Sequence, residues 1–418
     1  MTTPFLARTA AASLLGLLAL LPAIPDASAQ GVRPSVTFSG FGTLGYAILD
    51  QPDSEYRTGR AEDGADDRGS FEVDSRLGLQ LDAELTRRLS ATLQAIAREG
   101  ADGEPAVALE WGFLRFLPSD STSVRVGRMS LPVFALSDFR EVGYANVLLR
   151  PPEDVYAQIP LTRFDGIDLS FDLDYGETLF RVQLLGGVSE DRIYDELEPD
   201  ARESFGIALS ALRGPLQFRL SHVSSSFDID SENGAVAQVG AGIRQVSQGV
   251  PALAPLLGAI ADDFSGERVP LRFYAIGASF DPGTWFSDIE FASRRIDSWV
   301  SNIDSLSVVL GARFGAFSPY LFASDLSEID GDRRIELPDG NPAIDALERG
   351  VNQLYEPRDQ RTTGLGLRWD PVARVALKAQ VERVSREVIG TSLRRRADGN
   401  RDDGDDVTLF SAVVDFVF

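Results

Sequence analysis

The chain contains no cysteine, one histidine and one lysine, His222 and Lys378. Without cysteine there is no disulfide framework, no thiolate nucleophile and no sulfur ligand for a metal. A lone histidine cannot build the usual His/Cys zinc sites and closes most imidazole-based catalytic schemes. Basic charge is scarce as well: 40 basic residues stand against 63 acids, a formal net charge of −23. That balance disfavours a nucleic-acid partner, whose phosphates are held by basic surface. Beyond the first residues, no stretch is apolar over the roughly 20 residues that a membrane-spanning helix needs. The residues present suggest neither a cofactor nor a metal site.

What is there begins with an export signal. "MTTPFLART" carries Arg8, the apolar run "AASLLGLLALL" follows, and the small-residue site Ala27-Ser28-Ala29 points to cleavage before Gln30. Residues 1–29 are therefore expected to be a signal peptide and residues 30–418 a single exported domain. Any membrane that this domain crosses must be crossed by strands.

Read with a period of two, the remainder is full of strands. Val36, Phe38, Leu44, Tyr46 and Ile48 share one face of residues 36–48. Over residues 73–85, Val73, Leu77, Leu79, Leu81 and Leu85 alternate with Asp74, Arg76, Gln80, Asp82 and Glu84. Ile167, Leu169, Phe171, Leu173 and Tyr175 repeat the pattern, as do Leu365, Leu367 and Trp369. Connections alternate too. Tight turns near 86–88, 118–122, 175–177, 213–215, 281–284, 315–318 and 370–372 are separated by long, often acidic segments. Seven turns and eight loops make sixteen strands of about 10 residues, the length a tilted strand needs to cross a bilayer. Lipid offers no hydrogen-bond partners, so such a sheet must close and leave no edge. The expected fold is all-β: a closed antiparallel 16-stranded transmembrane β-barrel, apolar outside and polar inside, with Trp111, Trp285, Trp369, Tyr46, Tyr175 and Tyr320 near the interfaces.

The chain ends on "TLFSAVVDFVF", in which Phe410, Val414, Phe416 and Phe418 share the outward face. With the export signal and the sixteen strands, this ending resembles the outer-membrane porins of Gram-negative bacteria. The resemblance spans the mature chain and implies an outer-membrane location, with lipid and lipopolysaccharide as surroundings. It implies passive diffusion of small hydrophilic solutes and ions, and recognition of the terminal Phe418 by the barrel-assembly machinery. A homotrimer is a further implication. It also implies that the third long loop, 130–161, folds inward as a constriction. Its acids Asp138, Glu141, Glu153 and Asp154 would face Arg76, Arg98, Arg125 and Arg128 on the early strands. Opposed charges across a narrow waist orient polar solutes and slow apolar ones. Arg181, Arg219, Arg294, Arg313, Arg368 and Lys378 also fall on inward phases and suggest a broadly basic wall.

Other readings compete. A substrate-selective channel, for anions or oligosaccharides, is the alternative within the class; most aromatics take outward phases, which argues mildly against a sugar slide. A barrel enzyme would have to use His222, but its neighbour Ser221 points to the opposite face. The long loop 225–268 contains the nearly uncharged stretch 234–262, read as two short helices broken at Pro251 and Pro255 that form a lid or a gate. The acidic clusters "DGADDR" and "RDDGDD" lack EF-hand spacing.

Overall fold

The computed structural model describes residues 34–418 except 59–63, 101–102, 160–161, 191–197, 231–233, 265–267, 332, 339–340, 356–358, 387–391 and 396–405. The expected signal peptide, residues 1–29, lies outside the described residues, as do most of "RDDGDD" and part of "DGADDR".

Sixteen strands form one closed antiparallel barrel. They are β1 Ser35–Leu49, β2 Arg76–Glu84, β3 Leu89–Glu99, β4 Pro105–Ser119, β5 Thr122–Ser130, β6 Arg163–Tyr175, β7 Thr178–Glu190 and β8 Glu198–Arg213. Then come β9 Leu216–Asp230, β10 Val269–Phe280, β11 Trp285–Ile296, β12 Ile303–Ala312, β13 Phe317–Glu328, β14 Gln360–Val372, β15 Val375–Arg386 and β16 Asp406–Val417. The last strand pairs with the first from Phe41↔Val417 to Leu49↔Leu409, so no edge is left without a backbone partner.

The two faces follow the alternation. On β16, Phe410 is 46% exposed and Val414 37%, whereas the alternate residues Ser411, Val413 and Asp415 are buried. The aromatic ending seals the seam. A side chain on Gly40 would place its Cβ 2.3 Å from the Phe418 ring, and one on Gly42 would lie 2.4 Å from the Phe416 ring. Glycine on β1 thus leaves the shallow seats that the terminal rings occupy. The chain end is tied in as well: Phe418 N donates to Gly40 O at 2.9 Å and Gly40 N to Phe418 O at 3.0 Å.

Three positions depart from the sequence-based expectation. Val73 precedes β2 and is buried with Ala47, Leu49, Tyr56 and Leu393 beneath loop 1, so it is not an outward strand residue. Tyr320 turns inward and is buried, its hydroxyl donating to Gln380 Oε1 at 2.5 Å. Trp111 is drawn inward by a bulge: Gln94 pairs with Trp111 while Ala95 pairs with Leu109, leaving Glu110 as the extra residue. At Val73 and Trp111 a turn or a bulge breaks the period of two; Tyr320 keeps it, buried between exposed Pro319 and Leu321, and departs only from the expected interface.

The long loops carry structure of their own. Ser54–Tyr56 of loop 1 pairs with Leu393–Arg395 of loop 8 as a small sheet. Loop 3 contains the single-turn helix α1, Glu153–Tyr156. Loop 5 forms α2, Gly234–Gly249, and α3, Ala254–Asp263, interrupted at Pro251–Leu253 as the prolines imply. α2 packs on α4, Pro342–Leu354, of loop 7, and α3 packs on α2, with Trp299 of loop 6 and Leu337 in the same cluster. Loop 5 is thus a helical lid braced on neighbouring loops. Among the described residues no helix is long and apolar enough to cross a membrane.

Candidate functional site

Loop 3 leaves β5 and returns as β6, yet it touches the opposite wall. Arg219 Nη2 of β9 donates to Pro132 O at 2.5 Å, and Ser221 Oγ to Val133 O at 2.6 Å. Glu290 of β11 accepts from Ala135 N at 2.9 Å and from the Tyr156 hydroxyl at 2.6 Å. Further round, Leu149 N donates to Tyr320 Oη at 3.0 Å, Arg368 Nη1 to Tyr144 O and Asn146 O at 2.9 Å each, and Lys378 Nζ to Gly143 O at 2.8 Å and Leu148 O at 3.0 Å. A segment rooted between β5 and β6 that reaches β9 through β15 crosses the lumen.

Two forces hold it there. Apolar loop residues, among them Val133, Phe134, Val155 and Ile159, pack on inward residues Leu185, Val223, Phe273 and Ile296. Buried peptide carbonyls must still find donors. The wall supplies them through Arg219, Arg294 (to Gln158 O at 2.9 Å), Arg368 and Lys378. This corrects the basic wall expected from the sequence. Four of its six cations are committed to loop carbonyls, while Arg181 pairs with Asp172 and Arg313 with Asp281, both at 2.6 Å.

Buried ion pairs complete the anchor. Arg150 on the loop lies 2.6 Å from Asp74 and 3.3 Å from Glu382, and donates to Ser411 Oγ at 2.7 Å. Lys378 lies 2.8 Å from Asp415, which accepts from Thr43 Oγ1 at 2.6 Å. Gly143 is obligatory at this point: a Cβ there would lie 2.2 Å from Asp415 Oδ1.

On the near side, the expected charge opposition is found in part. Arg76 and Arg98 are cross-strand partners on β2 and β3. Glu141 of loop 3 lies 3.3 Å from Arg76 and 2.9 Å from Arg98. Glu110, brought inward beside the bulge, lies 3.6 Å from Arg98 and 3.2 Å from Arg163. Arg125 pairs at 3.0 Å with Asp168 on β6, not with a loop acid. Asp138 is exposed and lines the lumen near Arg125.

The remaining candidates lie elsewhere. Arg128 shares the outward face of Val126 and pairs at 2.5 Å with Asp165, which shares the face of Ile167. It stands at the strand exit but on the far side of the sheet. Asp154 turns to the opposite wall, accepting from Ser324 and Gln360. Glu153 is buried with Oε2 lacking a hydrogen-bond partner. Burial raises the carboxyl pKa of both Glu153 and Asp154 above the ordinary range; nearby Arg140 and Arg150 oppose this for Glu153, hydrogen bonds for Asp154. Glu110, Arg140, Arg150 and Arg163 were not singled out from the sequence. Arg140 and Arg150 are the only bases within loop 3, a signal that was available; the bulge at Glu110 left none.

The open space lies on the side that loop 3 does not fill. Toward the short turns is a chamber of ≈ 430 Å³, lined by Arg115, Arg125, Asp138 and Arg181 among others. Toward the long loops is one of ≈ 70 Å³, bordered by Arg76, Arg98, Arg140, Glu141 and Glu153. Between them, Glu110, Trp111, Asp138, Arg140 and Glu141 surround only ≈ 10 Å³. His222 is remote from this region: it stacks on Tyr274 at 4.5 Å on the outer face, whereas Ser221 points inward to Val133. Among the described residues no group of three or more His, Cys, Asp or Glu could hold a metal ion.

A closed 16-stranded antiparallel barrel, with short turns at one end, long loops at the other and a third loop laid across the lumen, has the architecture of the porins. Solved structures of porins and of another outer-membrane protein superpose on it along nearly their whole length. The anion-selective porin from Comamonas acidovorans is 14% identical, with 92% of this chain and 100% of that chain covered at a TM-score of 0.51. Salmonella typhi OmpF, in complex with daunomycin, is 10% identical over 92% of this chain and 97% of that chain, at 0.52. OmpT of Vibrio cholerae, 9% identical, covers 93% and 99% at 0.50. At these identities the likeness concerns the fold. No family model matches the chain, and no curated protein matches it.

Proposed function

We propose that the protein is an outer-membrane porin, a water-filled channel through which small hydrophilic solutes and ions diffuse passively. The observation that carries this reading is loop 3, which packs against one half of the lumen and leaves charge-lined chambers along the other. Arg76 and Arg98 from the wall meet Glu141 from the loop where the passage narrows. Charges of both signs in so small a space orient a polar solute and penalise an apolar one, which must displace held water. Arg125 and Asp138 act at the inner exit of the waist; Glu153 fronts the outer chamber. Arg128 and Asp154 have no part in it. The outward apolar band meets lipid, the loops meet lipopolysaccharide, and Phe418 is read by the assembly machinery as the chain is inserted. A homotrimer agrees with the same reading.

The test is single-channel recording of the purified mature protein in planar bilayers. Stepwise ohmic conductance is the expected result. Its absence, with the barrel folded, would sink the channel and leave a receptor or structural role. Lipid hydrolysis lost on His222→Ala would revive the enzyme reading.

A further inference from the structure

We infer that the passage prefers small cations, inorganic or bearing an ammonium or guanidinium group, over anions. The inference rests on the channel reading and adds to it a class of solute. Of the inward bases of β9, β11, β14 and β15, Arg368 and Lys378 have carboxylates of their own, Asp370 and Asp415; Arg219 and Arg294 keep their charge beneath loop 3, where the Glu290 carboxylate, without an ion pair among the described residues, opposes Arg219. Among the described residues, the charges compared are those lining the three chambers. There Arg76, Arg98, Arg125, Arg150 and Arg181 each have a carboxylate within ion-pair distance. Two guanidiniums lining the passage, Arg115 and Arg140, have none; Arg140 donates to Tyr156 O instead. Against these two stand, among the described residues, six carboxylates without an ion pair: Glu72, Asp82, Glu84, Asp120, Asp138 and Glu153.

Two of the six matter most. Asp138 borders both the inner chamber and the waist, so an ion passing between them moves close to it. Glu153 is 8% exposed, and its Oε2 has no partner in the protein while the residue lines the outer chamber. That oxygen is itself out of reach of solvent, so Glu153 acts on a passing cation through its charge and not by contact. In a narrow passage with low-dielectric walls, uncompensated charge of one sign concentrates the opposite counter-ion.

The experiment is the reversal potential of the full mature chain in planar bilayers under a roughly tenfold KCl gradient near ~0.1 M, where the Debye length is about 10 Å. A potassium-to-chloride permeability ratio of about 5 is expected, the Boltzmann factor of a potential below two kT. Asp138→Asn, a change at an exposed side chain without an ion pair, should bring the ratio at least twofold closer to one. Arg115→Gln should raise it, and molar salt should erase the difference by screening. A wild-type ratio at or below one overturns the inference, as does a ratio that Asp138→Asn leaves unchanged. Either result leaves the channel standing, because current still flows. Silent bilayers would instead remove the channel reading itself.

Discussion

Lys378 offers the sharpest test of how loop 3 is held. It is the chain's only lysine, and in the ion pair its side chain is 0% exposed. Its ammonium donates to Gly143 O and Leu148 O and lies 2.8 Å from Asp415, an arrangement that suits a compact charge better than a planar guanidinium. Lys378→Met removes all three contacts and leaves Asp415, also 0% exposed, without its counter-charge. Removing one partner of a buried ion pair costs about 3–5 kcal/mol, and each stranded carbonyl adds about 1 kcal/mol or more. Arg368 and Tyr320 still hold the ends of this segment. The loss should therefore appear as a local release of residues 143–149. Single-channel recordings of Lys378→Met should show a noisier open state and altered conductance, and thermal unfolding should begin earlier. Lys378→Met combined with Asp415→Leu removes both charges and should recover most of the loss, as replaced buried pairs commonly do. Amine acylation gives an independent readout: the native wild type should leave Lys378 unlabelled until loop 3 is released. If Lys378→Met matches the wild type in current, noise and melting temperature, the latch is refuted. The same holds if the double variant is no better than the single one.

Three further outcomes follow from the geometry. Burial raises the Glu153 carboxyl, so its contribution to docking is complete below the ordinary carboxylate range and is lost as pH rises through the raised value. Glu153→Gln should therefore melt at or above the wild-type temperature at pH ~7 and flatten the pH dependence of melting; a drop of several degrees would contradict this. Gly143→Ala drives a methyl into Asp415 and Thr43 and should cost about 1–3 kcal/mol, read as earlier melting with an altered current. Deleting 234–262 uncovers the apolar face of α4, including Leu347 and Val351, and should lower stability and solubility. It should leave conductance nearly unchanged, because the passage runs beside β2–β7; a large change would establish loop 5 as a gate.

The alternation of Leu365, Leu367 and Trp369 with smaller residues, and the alternation of short turns with long loops, were enough to specify strand number, connectivity and closure. Those features are local: side chains on a strand take opposite faces by geometry, and lipid forbids an unpaired edge. Phase put Arg76 and Arg98 on the inner face, while Glu141 opposite them was legible only through the resemblance to porins, which implies an inward third loop. Phase also correctly pointed Arg219, Arg294, Arg368 and Lys378 inward, but it carries no information about what they meet. That was decided when loop 3 crossed the lumen, because a buried backbone takes whatever donors the facing wall offers. The inward turn of Trp111 and Glu110 at a bulge and the uncompensated acids of the passage belong to the same class, whereas the outward place of Arg128, three residues from inward Arg125, follows from phase alone. The former depend on pairings between residues far apart in the chain, and only the closed barrel brings those residues together.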